Sequence, residues 1–335
     1  MDARSEIETL LDDVDPSIRY LVRRDVLGED PADRSLRLLS EEIRRSATVK
    51  KLLDGHTSRK AATYSAWQGA HWVAVSLAEI AHPGGDGRID RIVDEVLDRW
   101  TLPKFDREVE VEKIAGSPPF VPIVAGKARR CASQQGAALL IAMRFGRMND
   151  LRTQRIIDGL LRWQWSDGGW NCDRRPTASM SSVAETLLPM RGLAAAIGID
   201  APPVRRAGEF FLERNIAYRR TTGEPLTPSV MKLRHPTYWH YDLLAGLGGM
   251  VDAGRITDPR CERALDALEA KRLPAGGWAA EGRWYKPAGE SATERTESVE
   301  WGPPTSSKPH RWVSVRALAV LAAAGRLTWR HAHSA

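Results

Sequence analysis

Apolar positions recur along this chain with the 3.6-residue period of helices, and no convincing period-two run of β-branched residues interrupts them. The pattern predicts an all-α fold built from two alternating kinds of helix. One kind is amphipathic with a charged outer face. It comprises SLRLLSEEIRRSATVKKLL from Ser35, RIDRIVDEVLDRW ending at Trp100, RTQRIIDGLLRWQW ending at Trp165, PVRRAGEFFLERN ending at Asn215 and CERALDALEAKRL from Cys261. The other kind is apolar nearly all round and rich in Ala and Gly, in segments that start at Trp67, Cys131, Ser181, Tyr241 and Arg311. Such helices must be buried on several sides. A helix over 16–27, opened by Asp15-Pro16 and stopped at Gly28, adds a sixth of this kind.

Half-buried and fully buried helices that alternate with a period of about 50 residues are what an inner ring wrapped by an outer ring requires. The expected architecture is therefore a single-domain (α/α)6 toroid over 1–335, an open solenoid of helix hairpins being the alternative. Connections from inner to outer helices are short, at 28–33, 82–87, 146–150 and 198–202. Those from outer to inner helices are long, at 101–129, 166–179, 216–237 and 274–309. With parallel inner helices, the long loops gather where those helices begin, and long loops on a rigid scaffold usually carry function.

Composition narrows the class. With 42% apolar and 27% charged residues, the chain reads as an ordinary globular protein. Its formal charge of +6 is spread along helices without interleaved aromatics, which argues against nucleic acid as a partner. Three widely spaced cysteines make no disulfide framework and fit a cytoplasmic location. The acidic amino-terminal stretch does not read as a signal peptide, and no apolar run is long enough to span a membrane, which leaves only peripheral membrane contact.

Twelve Trp residues stand out, and two of them close similar turns: Gln164-Trp-Ser-Asp-Gly168-Gly-Trp170, and Leu273-Pro-Ala-Gly276-Gly-Trp278. The first resembles the Gln-x-x-x-Gly-x-Trp repeat of squalene and hopene cyclases, in the family of prenyltransferase and squalene-oxidase repeats, whose members build (α/α)6 toroids. The segment Tyr238-Trp239-His240-Tyr241-Asp242 is similar to a Tyr-His-Thr-Cys-Tyr segment of protein prenyltransferase β subunits, where the histidine binds zinc. The resemblance places His240 in that role, while the family's other ligands, an Asp and a Cys two apart, fall here near Ser179 and Ser181. The cyclases' Asp-x-Asp-Asp has no counterpart at an inner-helix start, since Asp12-Asp13-Val14-Asp15 reads as an acidic helix cap.

Polar residues at the starts of the apolar helices converge on the long-loop end and are site candidates. Cys131, Cys172, Asp173 and His240 offer donor types suited to zinc, with His71 a further ligand or catalytic group, and inert thiols with a core histidine as the plain alternative. Without metal, Glu185 or Asp242 in an apolar pocket would have a raised pKa and serve as a general acid. Trp67, Trp72, Gln134, Tyr238, Trp239 and Trp312, with Trp170, would line the cavity, the aromatic faces favouring a carbocation or cationic group. His56, His82, His331 and His333 receive no role, and Ser133 lacks triad partners in motif form. The expected function is an enzyme, terpene-cyclase-like or prenyltransferase-like, acting on a hydrophobic, isoprenoid-like small molecule through zinc or a general acid. The rival is a non-catalytic toroid that binds a lipid, peptide or protein.

Overall fold

A computed structural model describes residues 2–59, 63–287 and 296–328; His331 and His333 lie outside them, as does part of the 274–309 loop. The chain opens with α1 (Arg4–Leu11), then α2 (Pro16–Leu21), which runs on as one π turn over Val22–Val26. Next come α3 (Arg34–Arg44), α4 (Ala47–Arg59), α5 (Ala70–Glu79), α6 (Gly87–Trp100), α7 (Ala132–Arg144) and α8 (Leu151–Arg162). The last third holds α9 (Val183–Ile197), α10 (Pro202–Leu212), α11 (Leu243–Asp252), α12 (Glu262–Glu269) and α13 (Arg311–Ala323).

Three local features depart from the sequence reading. The amino-terminal acidic stretch forms α1, whose Ile7 and Leu10 are buried. The helix expected from Ser35 is interrupted at Arg45 and Ser46, where the Ser46 hydroxyl accepts the Val49 N–H at 3.2 Å and so starts α4 afresh. Most plainly, the fold is not purely helical. The 101–129 loop carries a three-stranded sheet of β1 (Glu108–Glu110), β2 (Val121–Val124) and β3 (Lys127–Ala128), with β1 parallel and β3 antiparallel to β2. Strands of two to four residues are too short to register as a period-two pattern.

The six apolar helical elements share one interior. Around it α5 packs on α7, α7 on α9, α9 on α11, α11 on α13, and α13 on α2 and its π turn. Each presents one helical stripe to the space between them. On α13 the stripe is Trp312, Val315, Arg316, Ala319, Val320 and Ala323, spaced three and four apart as one face of a helix demands. The amphipathic α3, α6, α8, α10 and α12 bury one face each, as at Ile89, Ile92, Val93 and Val96 of α6. Aspartates at the ends of short connectors cap them: Asp86 accepts the Arg88 N–H at 2.8 Å and Asp150 the Arg152 N–H at 2.8 Å.

The tightest junction is between α7 and α9. Gly136 lies so close to α9 that a Cβ there would fall 2.2 Å from the Pro189 nitrogen and 2.4 Å from the Leu188 carbonyl carbon. Backbone cannot move aside as a side-chain tip can, so Gly136→Ala should cost about 1 to 3 kcal/mol by overpacking. A lowered denaturant midpoint at constant slope would register it; an unchanged midpoint would show that the helices slide apart freely.

The two ends of the described chain meet. Asp2 bridges to Thr328, Glu6 pairs with Arg272, and Asp13 accepts from Arg311 at 3.0 Å. The long loops also touch one another. Arg130 N–H donates to the Asn171 carbonyl at 3.2 Å, joining loops 101–129 and 166–179, and Glu281 N–H donates to the Leu233 carbonyl at 2.8 Å, joining loops 216–237 and 274–309.

Candidate functional site

The two Gly-Gly-Trp turns hold the long loops against the helices with the same set of hydrogen bonds. Gly168 and Gly276 adopt φ of +93° and +89°, a region open to glycine and strained for other residues. The Trp170 indole N–H donates to the Leu160 carbonyl at 3.0 Å and that of Trp278 to the Leu268 carbonyl at 2.7 Å, each ten residues back. Backbone N–H groups of the two tryptophans donate to hydroxyls one turn into the next inner helix, Thr186 Oγ1 at 3.2 Å and Ser314 Oγ at 2.9 Å. Gln164 ties the first turn to its neighbour, donating to the Gly168 and Pro203 carbonyls, both at 2.8 Å. Both indoles are fully buried, which places Trp170 in the scaffold rather than on a cavity wall.

Directly after the first turn the chain delivers Cys172 toward the starts of α7 and α9. There Cys131, Cys172 and Glu185 bring one donor atom each to within 4.8 Å of one another. It is the one cluster of three or more His, Cys, Asp or Glu with metal-binding spacing among the described residues. The Cys172 thiol donates to Glu185 Oε1 at 3.3 Å, and the Ser133 N–H holds Glu185 Oε2 at 2.9 Å. Burial raises the Glu185 carboxyl above the usual range despite those bonds. The two thiols interact directly: the hydrogen bond from Cys172 lowers Cys131, and the same bond, with burial, raises Cys172. Cys131 is thus the more readily ionised partner, and it is exposed to solvent. Arg130 supplies the opposing charge; burial draws its guanidinium down to about 10, and it lies 4.3 Å over the Phe105 ring.

An aromatic wall stands beside this group. Trp67 stacks on Tyr238 with ring centroids 3.8 Å apart and meets Trp72 edge-on at 5.1 Å; Tyr64 then joins Trp72 to His71 and Trp100. The Tyr64 hydroxyl is raised above its ordinary value by burial and by the nearby Cys131 and Glu185, so the wall reaches the thiol cluster. Buried side-chain atoms without hydrogen-bond partners gather at these helix starts: Trp67 Nε1, Trp72 Nε1, His71 Nε2 and Gln134 Oε1, while the Ser133 hydroxyl turns to Glu185. His71 Nδ1 accepts the Trp100 indole N–H at 2.9 Å, and burial lowers its pKa to about 3, so the ring is neutral.

The remaining candidates lie elsewhere. Asp173 does not join the thiol cluster: it pairs with Arg175, which lowers its pKa to about 2, and it serves as a loop charge. Nor does His240, which stacks on Trp284 at 3.8 Å and on Trp239 at 4.0 Å. Trp239 is 36% exposed. Trp312 stacks on His235 at 5.2 Å and lines the interior cavity between the inner helices. Asp242 caps α11, its Oδ1 accepting the Ala245 N–H at 2.8 Å; burial raises the carboxyl to about 6, against the backbone N–H groups of Ala245 and Arg234 and the charges of Arg316 and Arg234.

Arg130, Tyr64 and His235 are the site residues that sequence reasoning passed over. Arg129-Arg130 directly before an apolar helix start was a visible signal for the first. Nothing in the pattern marked the other two.

No protein-family model and no curated protein sequence matches the chain. Among solved structures, it is similar to the apo form of the type II terpene cyclase MstE from Scytonema, with 14% identity, 84% of this chain and 99% of that chain covered, and a TM-score of 0.28. It is also similar to a variant of MstE in complex with geranylgeranyl dihydroxybenzoate, with 12% identity, 96% of this chain and 99% of that chain covered, and a TM-score of 0.28. Among the described residues, no helix is long and apolar enough to cross a membrane.

Proposed function

We propose that this chain is a cytoplasmic enzyme built as an (α/α)6 toroid, acting on a hydrophobic, isoprenoid-like small molecule at the inner-helix starts, with zinc held by Cys131, Cys172 and Glu185. The observation that carries this reading is the convergence of those three donors, from α7, the 166–179 loop and α9, to within 4.8 Å. The set suits the ion. Zinc bonds of 2.0–2.3 Å in a tetrahedron put donors about 3.3 to 3.8 Å apart, and the Cys172–Glu185 separation is 3.3 Å. Ser133 N–H occupies Glu185 Oε2 and leaves Oε1 facing the thiols, while Arg130 offsets the excess negative charge that two thiolates and a carboxylate bring.

When bound with three protein ligands, zinc supplies Lewis-acid chemistry at its open fourth position. The chain's own residues do the rest. Trp67, Trp72 and Tyr238, packed on one another, form a rigid apolar wall beside the donors. Gln134 Oε1, buried and unpartnered, is available to orient a polar group of the substrate.

Purified protein should then contain stoichiometric zinc, and cobalt in its place should give a thiolate charge-transfer band. Cys172→Ser should abolish the band and, with it, turnover of prenyl alcohols or prenyl diphosphates. A wild-type protein that takes up neither metal under reducing conditions would overturn the zinc assignment.

Asp242 supports a second reading. A buried carboxyl with a pKa of about 6 at the start of α11 would serve as a proton donor to an alkene held against it. Activity of that kind would be metal-independent and would decline as pH rises through 6.

A further inference from the structure

The interior between the inner helices is not uniformly apolar. It consists of two cavities, of about 330 Å³ and about 290 Å³, which share Ala78, Glu79, Arg191 and Asp252 and so meet at one waist. Four arginines line them, Arg24, Arg144, Arg191 and Arg316, against three carboxylates, Asp25, Glu79 and Asp252. Two of the arginines are neutralised: Arg24 pairs with Asp25, and Arg191 with Asp252. Arg144 and Arg316 have no ion pair among the described residues, although Asp25 acts on the first and Asp242 on the second at longer range, and Arg144 Nε and Arg316 Nη1 are buried with no hydrogen-bond partner.

Arg144 is the last residue of α7, where a positive charge suits the helix end, but a helix-terminal role does not account for Arg316. Arg316 is the sixth residue of the thirteen-residue α13, so it cannot serve the carbonyls at that helix's end. A guanidinium N–H withdrawn from water without an acceptor is costly, and its fork geometry matches a carboxylate or phosphate. Around the arginines the walls are aliphatic and aromatic: Leu21, Leu244, Trp312 and Val315 in the first cavity, Leu140 and Leu188 in the second. The stripe from Trp312 to Ala323 on α13 runs about 16 Å at 1.5 Å per residue, the length of an extended chain of roughly a dozen carbons.

We propose that the space inside the helix ring binds an anionic amphiphile, a chain of about a dozen carbons or more ending in a carboxylate or phosphate, whose head takes the free donor of Arg316 in the first cavity. This deepens the hydrophobic-substrate reading by naming a charged head, and it does not depend on metal at Cys131, Cys172 and Glu185. Glu79 is the one lining carboxylate without an ion pair, and it opposes such a ligand.

Isothermal titration calorimetry on the full chain tests the site with dodecanoate, dodecyl phosphate and dodecanol. Both anions, or the one whose head the site selects, should bind at least tenfold more tightly than the alcohol. Arg316→Gln should bring the anions to the alcohol's affinity, Arg144→Gln should leave them tighter than the alcohol, and Glu79→Gln should tighten them. Ala319→Trp, which fills the first cavity from α13, should abolish binding, with circular dichroism reporting that the helices remain. Equal affinity for alcohol and anions, or anion binding that survives either Arg316→Gln or Ala319→Trp, would overturn the proposal. The cobalt spectrum recorded on the same variants separates the two sites: it should persist in all of them, so loss of amphiphile binding with the band intact leaves the metal reading untouched.

Discussion

Replacing either Trp170 or Trp278 by Ala should cost about 3 to 5 kcal/mol of stability, and the two losses should be alike. Each indole is at most 1% exposed, each N–H ends on a Leu carbonyl ten residues back, and each backbone N–H ends on a hydroxyl of the following inner helix. Removal would leave a large void and expose the Leu carbonyl as an unsatisfied acceptor. Leu38→Ala, at a position 59% exposed on α3, is the control and should shift stability by less than about 0.5 kcal/mol. Denaturant melts measure all three. Sub-kilocalorie losses at both tryptophans would mean that the turns are ornaments on a fold held elsewhere.

The second large effect is a pH dependence at Asp242. Its folded-state pKa is raised from 3.8 to about 6 by burial, so between those values the folded chain keeps a proton that the unfolded chain has released. Stability therefore falls as pH rises through that window and stays lower above it, by about 3 kcal/mol from this one group. Asp242→Asn keeps an oxygen for the Ala245 N–H and removes the titration. The difference in stability between variant and wild type should accordingly move by about 3 kcal/mol in the variant's favour between pH 4 and pH 7.5. Parallel pH profiles would show that water reaches the carboxyl.

How much of this was legible follows from which signals are local. The alternation of amphipathic and all-apolar helices was readable because burial on one side or several leaves its mark within a dozen residues. The Gly-Gly-Trp turns were readable for the same reason, since Gly168 and Gly276 need φ that other residues resist. Cys131, Cys172 and Glu185 were each named as candidates, but their grouping was not legible, because it depends on how the 166–179 loop folds back between two helix starts. Asp173 was drawn into the metal set by adjacency to Cys172, yet successive residues in extended chain point apart, and it turned to Arg175. His240 was assigned by resemblance, and stacking against Trp284, 44 residues later, is invisible to any motif. The small sheet escaped because three-residue strands carry no period.

The meeting of Glu6 with Arg272 and of Asp13 with Arg311 has a consequence for how the protein is made. These partners are 266 and 298 residues apart in the chain. At typical translation rates, the first helix therefore waits roughly 15 to 60 s before its partners leave the ribosome. Throughout that interval α1 has only α2 and its π turn to pack on, and Glu6 lacks Arg272. A nascent chain of this kind carries Glu6 and Asp13 without their arginine partners until residues 272 and 311 have been made, so these closing ion pairs form late in folding.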